Sequence, residues 1–417
     1  MGFQTGLSGL STSSRNLDVI GNNVANASVA GFKGSVAQFS DVYASAVGGS
    51  KTQIGIGSKM QSVAQMFNQG NITPTSNSLD FAIAGRGFFR MSDNGEIVYS
   101  RNGQFRMDRE GFLVNSDGLK VTGYGIDSSG NIVNASPTPL QFDTADIAPK
   151  ATTTFEIGVN LNSDVAKEKM PTVTTFDPDN VNSFNFTTSG TVYDTLGNSH
   201  VQTFYFVRTA TAGTWDVYGR MDNGALANTD LGGGAGLPVQ LVFDQNGALD
   251  ATASPMPLSV SNVLSTGAVT PLAYTVDFTG STQYGSSEGV TSLSQDGYSS
   301  GRLTGFNVSP DGLIVGRYTN GQSRNLGQVV LADFVNSQGL GSLGNNLWQE
   351  TVDSGLPLVG APNSGTVGTL QSGALEESNV ELTQELVAMI VAQRVYQANA
   401  QTIKTQDSVL QTIVNLR

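Results

Sequence analysis

Hydrophobic positions near the C-terminus recur every three to four residues, the spacing of one face of an α-helix. No glycine occurs from Ala374 to Arg417, although the chain has 50 glycines in 417 residues, and this also favours a helix. Ser378 and Glu381 have capping-box spacing, which predicts Ser378 as the N-cap and Glu381 as the third helical residue. The predicted stripe is Leu382, Leu386, Met389, Gln393, Tyr396, Ala400, Ile403, Asp407, Leu410 and Val414, flanked by Val391, Val395 and Ile413. Its alternating steps of four and three indicate a coiled-coil helix or a long bundle helix.

The N-terminus carries a weaker copy of this pattern. Its stripe is Phe3, Leu7, Leu10, Ser14, Leu17, Gly21 and Val24. Gly6, Gly9 and Gly21 each cost about 1 kcal/mol relative to alanine, so we expect this helix to need a partner. The C-terminal stripe is a candidate, and burying the two stripes together would place the chain termini side by side.

Between the two ends, short apolar stretches alternate with turn sequences every eight to twelve residues, which indicates a β-sandwich or β-barrel. This texture runs from Leu79 to Val121 and returns from Leu313 to Phe334. A third β block, from Gly190 to Phe243, lies between these two segments. The predicted fold is therefore mixed and mainly β, with nested β domains and long paired terminal helices. The expected parts are a terminal helical domain (1–33 and 375–417), connecting segments (34–70 and 358–374), an inner β domain (71–144 and 285–357) and an inserted outer β domain (145–284).

Composition excludes several classes of function. The chain has no cysteine and one histidine, which excludes disulfides, thiolate metal sites, cysteine nucleophiles and polyhistidine metal sites. Its 34 acidic and 21 basic residues give a net charge of −13, which argues against nucleic-acid partners and anionic membranes. No apolar run approaches the about 20 residues of a membrane span, so no membrane insertion is expected. The first fourteen residues lack the pattern of a cleaved secretory signal.

No catalytic, cofactor or metal site emerges from the motifs, so we predict that the chain is not an enzyme. Leu231–Gly236 is glycine-rich but lacks the ending of a phosphate loop. Asp177–Asn180 lacks the glycine and glutamate of a calcium loop and is interpreted as an acidic turn. Glu376 and Glu377 stand beside the predicted cap, where negative charge favours a helix N-terminus. His200 is interpreted as a surface or cross-strand polar residue.

Long motifs at both ends resemble the terminal signatures of the bacterial flagellar rod and hook proteins. The N-terminal motif contains Asn16, Leu17, Asp18, Gly21, Asn22, Asn23, Asn26, Gly31, Phe32 and Lys33. The C-terminal motif runs from Glu385 to Lys404, and shorter matches lie at Leu79–Phe89, Tyr99–Gly103, Gly190–Asp194 and Gly327–Ala332. The resemblance therefore spans nearly the whole chain.

This resemblance implies an axial subunit of the flagellum that self-assembles into a homopolymer. Rod members are usually shorter, so the inserted block 145–284 favours a hook subunit, whose curved hollow tube acts as a universal joint that transmits motor torque. A distal rod subunit is the alternative. The family also implies export by the flagellar type III apparatus without a cleaved signal, an extracellular location, and contacts with the distal rod protein, the hook-capping protein and the hook–filament junction protein.

Within this family, the apolar residues of the two stripes become the expected assembly interface. They are Leu7, Leu10, Leu17, Val24, Leu382, Leu386, Met389, Tyr396, Ala400, Ile403, Leu410 and Val414. The polar Gln393 and Asp407 argue against a dedicated two-stranded coiled coil. Two rivals fit less well: a secreted adhesin would need an aromatic platform, but Trp215 and Trp348 are isolated, and a hydrolase would need a nucleophile–base pair.

Overall fold

The computed structural model describes residues 2–42, 55–127, 130–133, 135–143, 145–164, 170–173, 175–222, 224–254, 256–264 and 266–415. Within these residues the chain is mainly β, with one long α-helix towards each end, as the sequence predicts. In chain order the elements are α1 (Gly2–Ala25), β1 (Ser35–Val42), β2 (Gly57–Gln65), β3 (Ile72–Pro74), β4 (Phe81–Ala84), β5 (Phe88–Asp93), β6 (Glu96–Ser100), β7 (Arg106–Met107), β8 (Leu113–Val114), β9 (Lys120–Tyr124), β10 (Thr138–Pro139), β11 (Thr154–Asn160), β12 (Phe186–Tyr193), β13 (Ser199–Arg208), β14 (Thr214–Met221), β15 (Thr229–Asp230), β16 (Val239–Val242), β17 (Leu258–Asn262), β18 (Leu272–Asp277), β19 (Gly289–Gln295), β20 (Leu303–Val308), β21 (Leu313–Tyr318), β22 (Ser323–Val329), β23 (Leu331–Asp333), β24 (Gly341–Gly344), β25 (Leu347–Gln349), β26 (Leu358–Gly360), β27 (Thr369–Ser372), β28 (Ala374–Glu376) and α2 (Leu382–Asn415).

The chain folds into two compact units. Unit 1 consists of Met1–Thr144, Thr304–Arg317 and Ser323–Arg417, and unit 2 of Ala145–Leu303 and Tyr318–Gln322. Unit 2 is therefore inserted into the chain of unit 1. It continues to Leu303, past the predicted end of the inserted block at residue 284, because β19 pairs with β11 along its length. The finer division into terminal, connecting, inner and outer parts stays a prediction.

Unit 1 is built around one large sheet whose main path is β20-β21-β22-β9-β5-β6-β25-β24. Phe81, Phe89, Met91 and Ile314 are fully buried in its main hydrophobic cluster. Two short antiparallel pairs, β27 with β4 and β28 with β3, bring the segment before α2 beside the segment that follows β2. The Gly31 N–H donates a hydrogen bond to the Glu376 carbonyl (2.7 Å), so the chain leading into α2 also lies close to the chain leaving α1.

Unit 2 is a sandwich of two sheets. One sheet has the order β15-β17-β18-β11-β19 and the other β12-β13-β14-β16. Aromatic and β-branched residues from both sheets share one core, in which Phe155, Phe204, Trp215, Val276 and Phe278 are fully buried. The alternation of apolar and polar residues along these strands explains the sandwich, since each strand turns one face inward.

Asn94 and Gly95 join β5 to β6 as a two-residue hairpin loop, with Asp93 paired to Glu96. Asn94 has φ 48° and Gly95 has φ 107°. Asparagine and glycine tolerate the positive φ that such tight turns require.

The predicted capping box is wrong, because α2 begins only at Leu382. Ser378 Oγ accepts a hydrogen bond from the Val380 N–H (3.2 Å), so it closes a turn before the helix. The side chain of Asn379 is held by the backbone of Gly34 and Met66. These contacts fix the segment 378–381 in a non-helical conformation against the β part of unit 1.

Candidate assembly surface on the terminal helices

α1 and α2 pack together through small and polar residues. A Cβ atom at Gly6 would lie 3.0 Å from Cγ1 of Ile403, and one at Gly9 would lie 2.7 Å from Oδ1 of Asn399. Asn399 also donates a hydrogen bond to Ser13 (3.4 Å). Gly6 and Gly9, which weaken α1 in isolation, thus permit a close approach of the two helices. The expectation that the apolar stripes face each other is wrong, although the helices do lie side by side.

Most residues of the predicted stripes lie on the surface of the chain instead. On α1, Leu7 is 52% exposed, and Leu10, Leu17 and Val24 are half-buried. On α2, Met389, Ala400 and Ile403 are half-buried, whereas the exposed members are Leu382, Leu386, Tyr396, Leu410 and Val414. Ile403 is the stripe residue that packs against α1 at Gly6. A single chain therefore leaves apolar rows of both helices in contact with water, as interaction surfaces do.

A second apolar row runs along α2. Val391 and Val395, predicted to flank the stripe, are exposed together with Val387 and Val409. The side chain of Ile413 lies outside the described residues. Ala392 is only 4% exposed, and at 100° per residue the two rows lie on either side of this buried position of α2. The helix pair therefore offers apolar surface on both of its sides.

A buried ion cluster lies where the two terminal segments meet the β part of unit 1. Lys33 Nζ is 2.6 Å from Oε1 of Glu376, and Arg101 Nη1 is 3.1 Å from Oε2 of the same carboxylate. The Gly70 N–H also donates to Oε1 (2.8 Å), and Lys33 donates to the Asn68 carbonyl (2.8 Å). Glu376 thus ends β28 in this cluster, which corrects its assignment to a helix N-terminus.

Burial sets the electrostatics of this cluster. It lowers the pKa of Lys33, with a further reduction from Arg101 and a partial offset from Glu376. Burial likewise lowers the pKa of Arg101, again opposed by Glu376. Because an unpaired buried charge is costly, the carboxylate of Glu376 is what keeps both cations stable inside the protein.

Two asparagines join the same junction to the helices. Asn23, buried near the end of α1, accepts a hydrogen bond from the Ser35 N–H (2.9 Å) and donates to the Ser35 carbonyl (2.8 Å). It also donates to Oε1 of Glu385 on α2 (3.0 Å). Asn379 accepts from the Gly34 N–H (2.8 Å). These side chains fix the end of α1 and the beginning of α2 to the start of β1.

The other residues of the N-terminal motif have varied surroundings. Gly31 has φ 70°, and a Cβ atom there would lie 2.5 Å from the Asn102 nitrogen, so only glycine fits. Phe32 is half-buried, and Asn26 donates to the side chain of Asn22 (2.9 Å). Asn16, Leu17, Asp18 and Gly21 all lie on α1.

His200 is buried on a strand, so of its two predicted placements, surface or cross-strand polar, the structure excludes only the surface one. It lies on β13 opposite Val192, with Nδ1 2.5 Å from Oδ2 of Asp222 and Nε2 3.2 Å from Oδ2 of Asp194. Burial opposes protonation of the ring, but the hydrogen bonds to Asp222 and Asp194 prevail and raise the pKa of His200. Burial also opposes ionisation of Asp194, but hydrogen bonds from Asn198, His200 and the backbone lower its pKa to about 2.

The glycine-rich loop and the acidic turn singled out in the sequence are both held by contacts within the chain. In Leu231–Gly236, the N–H groups of Gly232 and Gly234 donate to Oδ1 of Asp230 (2.7 and 2.9 Å), so the loop binds its own carboxylate. Asp177–Asn180 forms a turn in which Asp179 pairs with Arg220 (2.7 Å).

Across the described residues no group of acidic and histidine side chains is arranged to hold a metal ion. Neither α1 nor α2, as far as they are described, is apolar enough to cross a membrane.

Four family models match successive parts of the chain. They are described as flagella basal body rod protein (residues 3–33), flagellar hook protein FlgE/F/G D1 domain (82–194), flagellar basal body protein FlaE D2 domain (160–298) and flagellar basal body rod FlgEFG protein C-terminal (371–416). The first and last of these cover the two terminal motifs.

Known relatives are similar over their full length. The flagellar hook protein FlgE of Escherichia coli (strain K12) is 42% identical over 426 residues, with all of both chains covered. That of Borreliella burgdorferi is 29% identical over 448 residues, covering 99% of this chain and 98% of the relative. Among solved structures, the Helicobacter pylori flagellar hook protein FlgE2 is 16% identical, with a TM-score of 0.49, and is matched over 73% of this chain and 100% of its own.

Proposed function

The chain belongs to the flagellar hook protein family, and from this premise we propose that it polymerises into a curved, hollow tube that acts as a universal joint between motor and filament. As a member of this family it is a structural subunit of the bacterial flagellar hook, and part of the flagellum. The alternative of a distal rod subunit is not favoured, since the relatives are hook proteins along their whole length.

The observation that carries this proposal is the exposure of the apolar rows on α1 and α2. Leu7, Leu386 and Leu410 are each about half exposed in the single chain. Burying apolar surface contributes about 25 cal/mol per Å², so copies that bury these rows against one another gain free energy. The stripe residues predicted from the sequence are therefore proposed as the assembly interface, supported by the second row on α2.

The location, the export route and the assembly partners of the chain are also part of the proposal. We propose a structural and not a catalytic role, an extracellular location, and export by the flagellar type III apparatus without a cleaved signal. The proposed neighbours are other copies of the chain, the distal rod protein, the hook-capping protein and the hook–filament junction protein. The division of the chain into terminal, connecting, inner and outer parts is also proposed on the family pattern.

Electron microscopy of the concentrated full-length protein tests this function. We expect curved tubes from the full chain and no tubes from a chain that ends at Glu377, which lacks α2. The shortened chain should keep a cooperative unfolding transition, because the cores of both units lie outside α2. Straight rods, or tubes from the shortened chain, would contradict the proposal.

A further inference from the structure

A groove of about 750 Å³ lies in unit 1 between α1, β1, the segment 66–71 and the beginning of α2. We call it the acidic groove, because three carboxylates, those of Glu377, Glu381 and Glu385, line it, and the described lining residues include no lysine or arginine. Its apolar lining includes Val36 and Met66, both of which are exposed. The groove thus combines uncovered apolar surface with negative charge.

The three carboxylates differ in their availability. Glu385 accepts a hydrogen bond from Asn23 (3.0 Å), and Glu377 accepts one from Asn71 (3.4 Å). Glu381 is exposed, and its carboxylate has no hydrogen-bond partner within the described part of the chain. Glu381 is therefore the carboxylate that can receive a cation from another molecule.

A second hollow, of about 460 Å³, lies against the other side of the helix pair. We call it the leucine face; its lining residues are Leu7, Leu10, Ser11, Ser14, Arg15, Asp18 and Tyr396. Arg15 is exposed and forms no ion pair with any described residue. It is also the only basic residue before Lys33 in the sequence. The leucine face thus carries apolar side chains beside one free cation.

The acidic groove and the leucine face use opposite sides of α1. At 100° per residue, the groove positions Asn16, Val19 and Asn23 lie roughly 180° from Leu7 and Leu10. Gly6, Gly9 and Ser13 lie between these two sides and contact α2. A contact between two different faces does not close on itself as a two-fold dimer does, and its repetition generates an open polymer.

We propose that the leucine face of one copy docks in the acidic groove of the next copy, with Leu7 and Leu10 against Val36 and Met66, and Arg15 beside Glu381. This inference rests on the proposed function, since it specifies which surfaces of the polymerising chain meet. Apolar residues supply the buried area, and the pairing of opposite charges sets the register. Asp18 also lies on the leucine face, so the register depends on the particular pair Arg15–Glu381 and not on a general excess of positive charge.

A charge swap tests this contact in the full-length chain. The variants are Arg15→Glu, Glu381→Arg and the two combined, and the critical concentration for tube formation is measured by light scattering and electron microscopy. Each single variant places like charges together, and we expect its critical concentration to rise about tenfold, equivalent to about 1.4 kcal/mol. The double variant should return to the wild-type value. Arg109→Glu and Glu110→Arg, an exposed pair in a turn of unit 1, make the same charge changes elsewhere and should have no effect.

The outcomes separate this contact from the function on which it rests. Two results would overturn the contact and leave the proposed function standing, provided that the wild type forms tubes. In the first, neither single variant changes the critical concentration. In the second, the double variant raises the critical concentration by as much as the two single variants together. Failure of the wild type to form tubes at any concentration would overturn both.

Discussion

Lys33 Nζ and Glu376 Oε1 lie 2.6 Å apart in a fully buried site, although 343 positions separate them in the chain. One residue follows α1 and the other precedes α2. Their contact therefore fixes the two terminal segments to each other at the base of the helix pair. Arg101, from the loop after β6, joins the same carboxylate, so the β part of unit 1 is held at this point as well.

Replacement of Glu376 by glutamine should destabilise unit 1 strongly. It would leave Lys33 buried without its carboxylate partner and Arg101 with only the more distant charge of Asp333, and removing one partner of a buried ion pair costs about 3–5 kcal/mol. The free energy of unfolding from urea titration measures this loss. Glu377→Gln, at the exposed next position, is the matched control and should change stability by less than about 0.5 kcal/mol. Equal effects of the two variants would contradict the importance of the cluster.

Replacement of Gly9 by valine should displace the side chain of Asn399, break its hydrogen bond to Ser13 and loosen the contact between α1 and α2. The glycine approaches Asn399 so closely that a Cβ atom would lie 2.7 Å from its Oδ1 atom, and a β-branched side chain has little freedom to avoid it. Amide hydrogen exchange of α1 should accelerate. Gly21→Ala is the comparison, because a Cβ atom there meets no other atom within 4 Å; it should stabilise α1 by about 1 kcal/mol. Faster exchange in Gly21→Ala than in Gly9→Val would refute this packing.

Replacement of Leu386 by glutamine should impair polymerisation and leave the folded chain intact. Leu386 is 44% exposed in the single chain, so the loss appears only when copies bury it. A buried leucine contributes about 2–5 kcal/mol, and the critical concentration should rise at least about tenfold. Val352→Gln changes a side chain that is 98% exposed and should assemble normally. An unchanged critical concentration for Leu386→Gln would remove this residue from the interface.

The stability of unit 2 should depend on pH through the only histidine of the chain. Because the pKa of His200 is raised in the folded chain, this residue stabilises unit 2 fully below its ordinary pKa, about 6.5. That contribution to the free energy of unfolding is lost as the pH rises through the raised pKa. The pKa of Asp194, lowered to about 2, gives a contribution that is present above about pH 4 and is lost on acidification. Urea unfolding at successive pH values should therefore show greatest stability near pH 4–6.5.

The variant His200→Gln provides the control for this pH dependence. It should unfold with a flatter pH profile above pH 6, because it lacks the group that titrates there. A decline that is equally steep in this variant and in the wild type would show that another group is responsible.

The sequence pattern predicted the helices and the β texture, because both depend on local periodicity. Steps of three and four residues indicated α2, and turn sequences every eight to twelve residues indicated the β strands. Which face of each helix is buried did not follow from the pattern. Hydrophobicity favoured Leu7 and Leu386 as contact residues, whereas close packing uses Gly6, Gly9 and Asn399. Glycine at a helix contact and glycine that weakens a helix look the same in a sequence.

The buried polar contacts were not predicted either, because they join positions far apart in the chain. Glu376 stood next to the predicted cap and was assigned to the helix N-terminus, but it pairs with Lys33 and Arg101. His200 has no local feature that indicates burial between Asp194 and Asp222. Such contacts depend on the pairing of β28 with β3 and of β13 with β12 and β14, which local periodicity does not specify.

Thiol labelling tests most directly whether the apolar rows exposed in one chain are buried between copies. The protein has no cysteine, so each single-cysteine variant reports one site. Leu386→Cys should react quickly in the dilute monomer and at least about tenfold more slowly in tubes. Ala392→Cys, at a position that is only 4% exposed in the single chain, should be protected in both states, and Val352→Cys should react in both. Equal reaction rates of Leu386→Cys in monomer and tube would contradict the account.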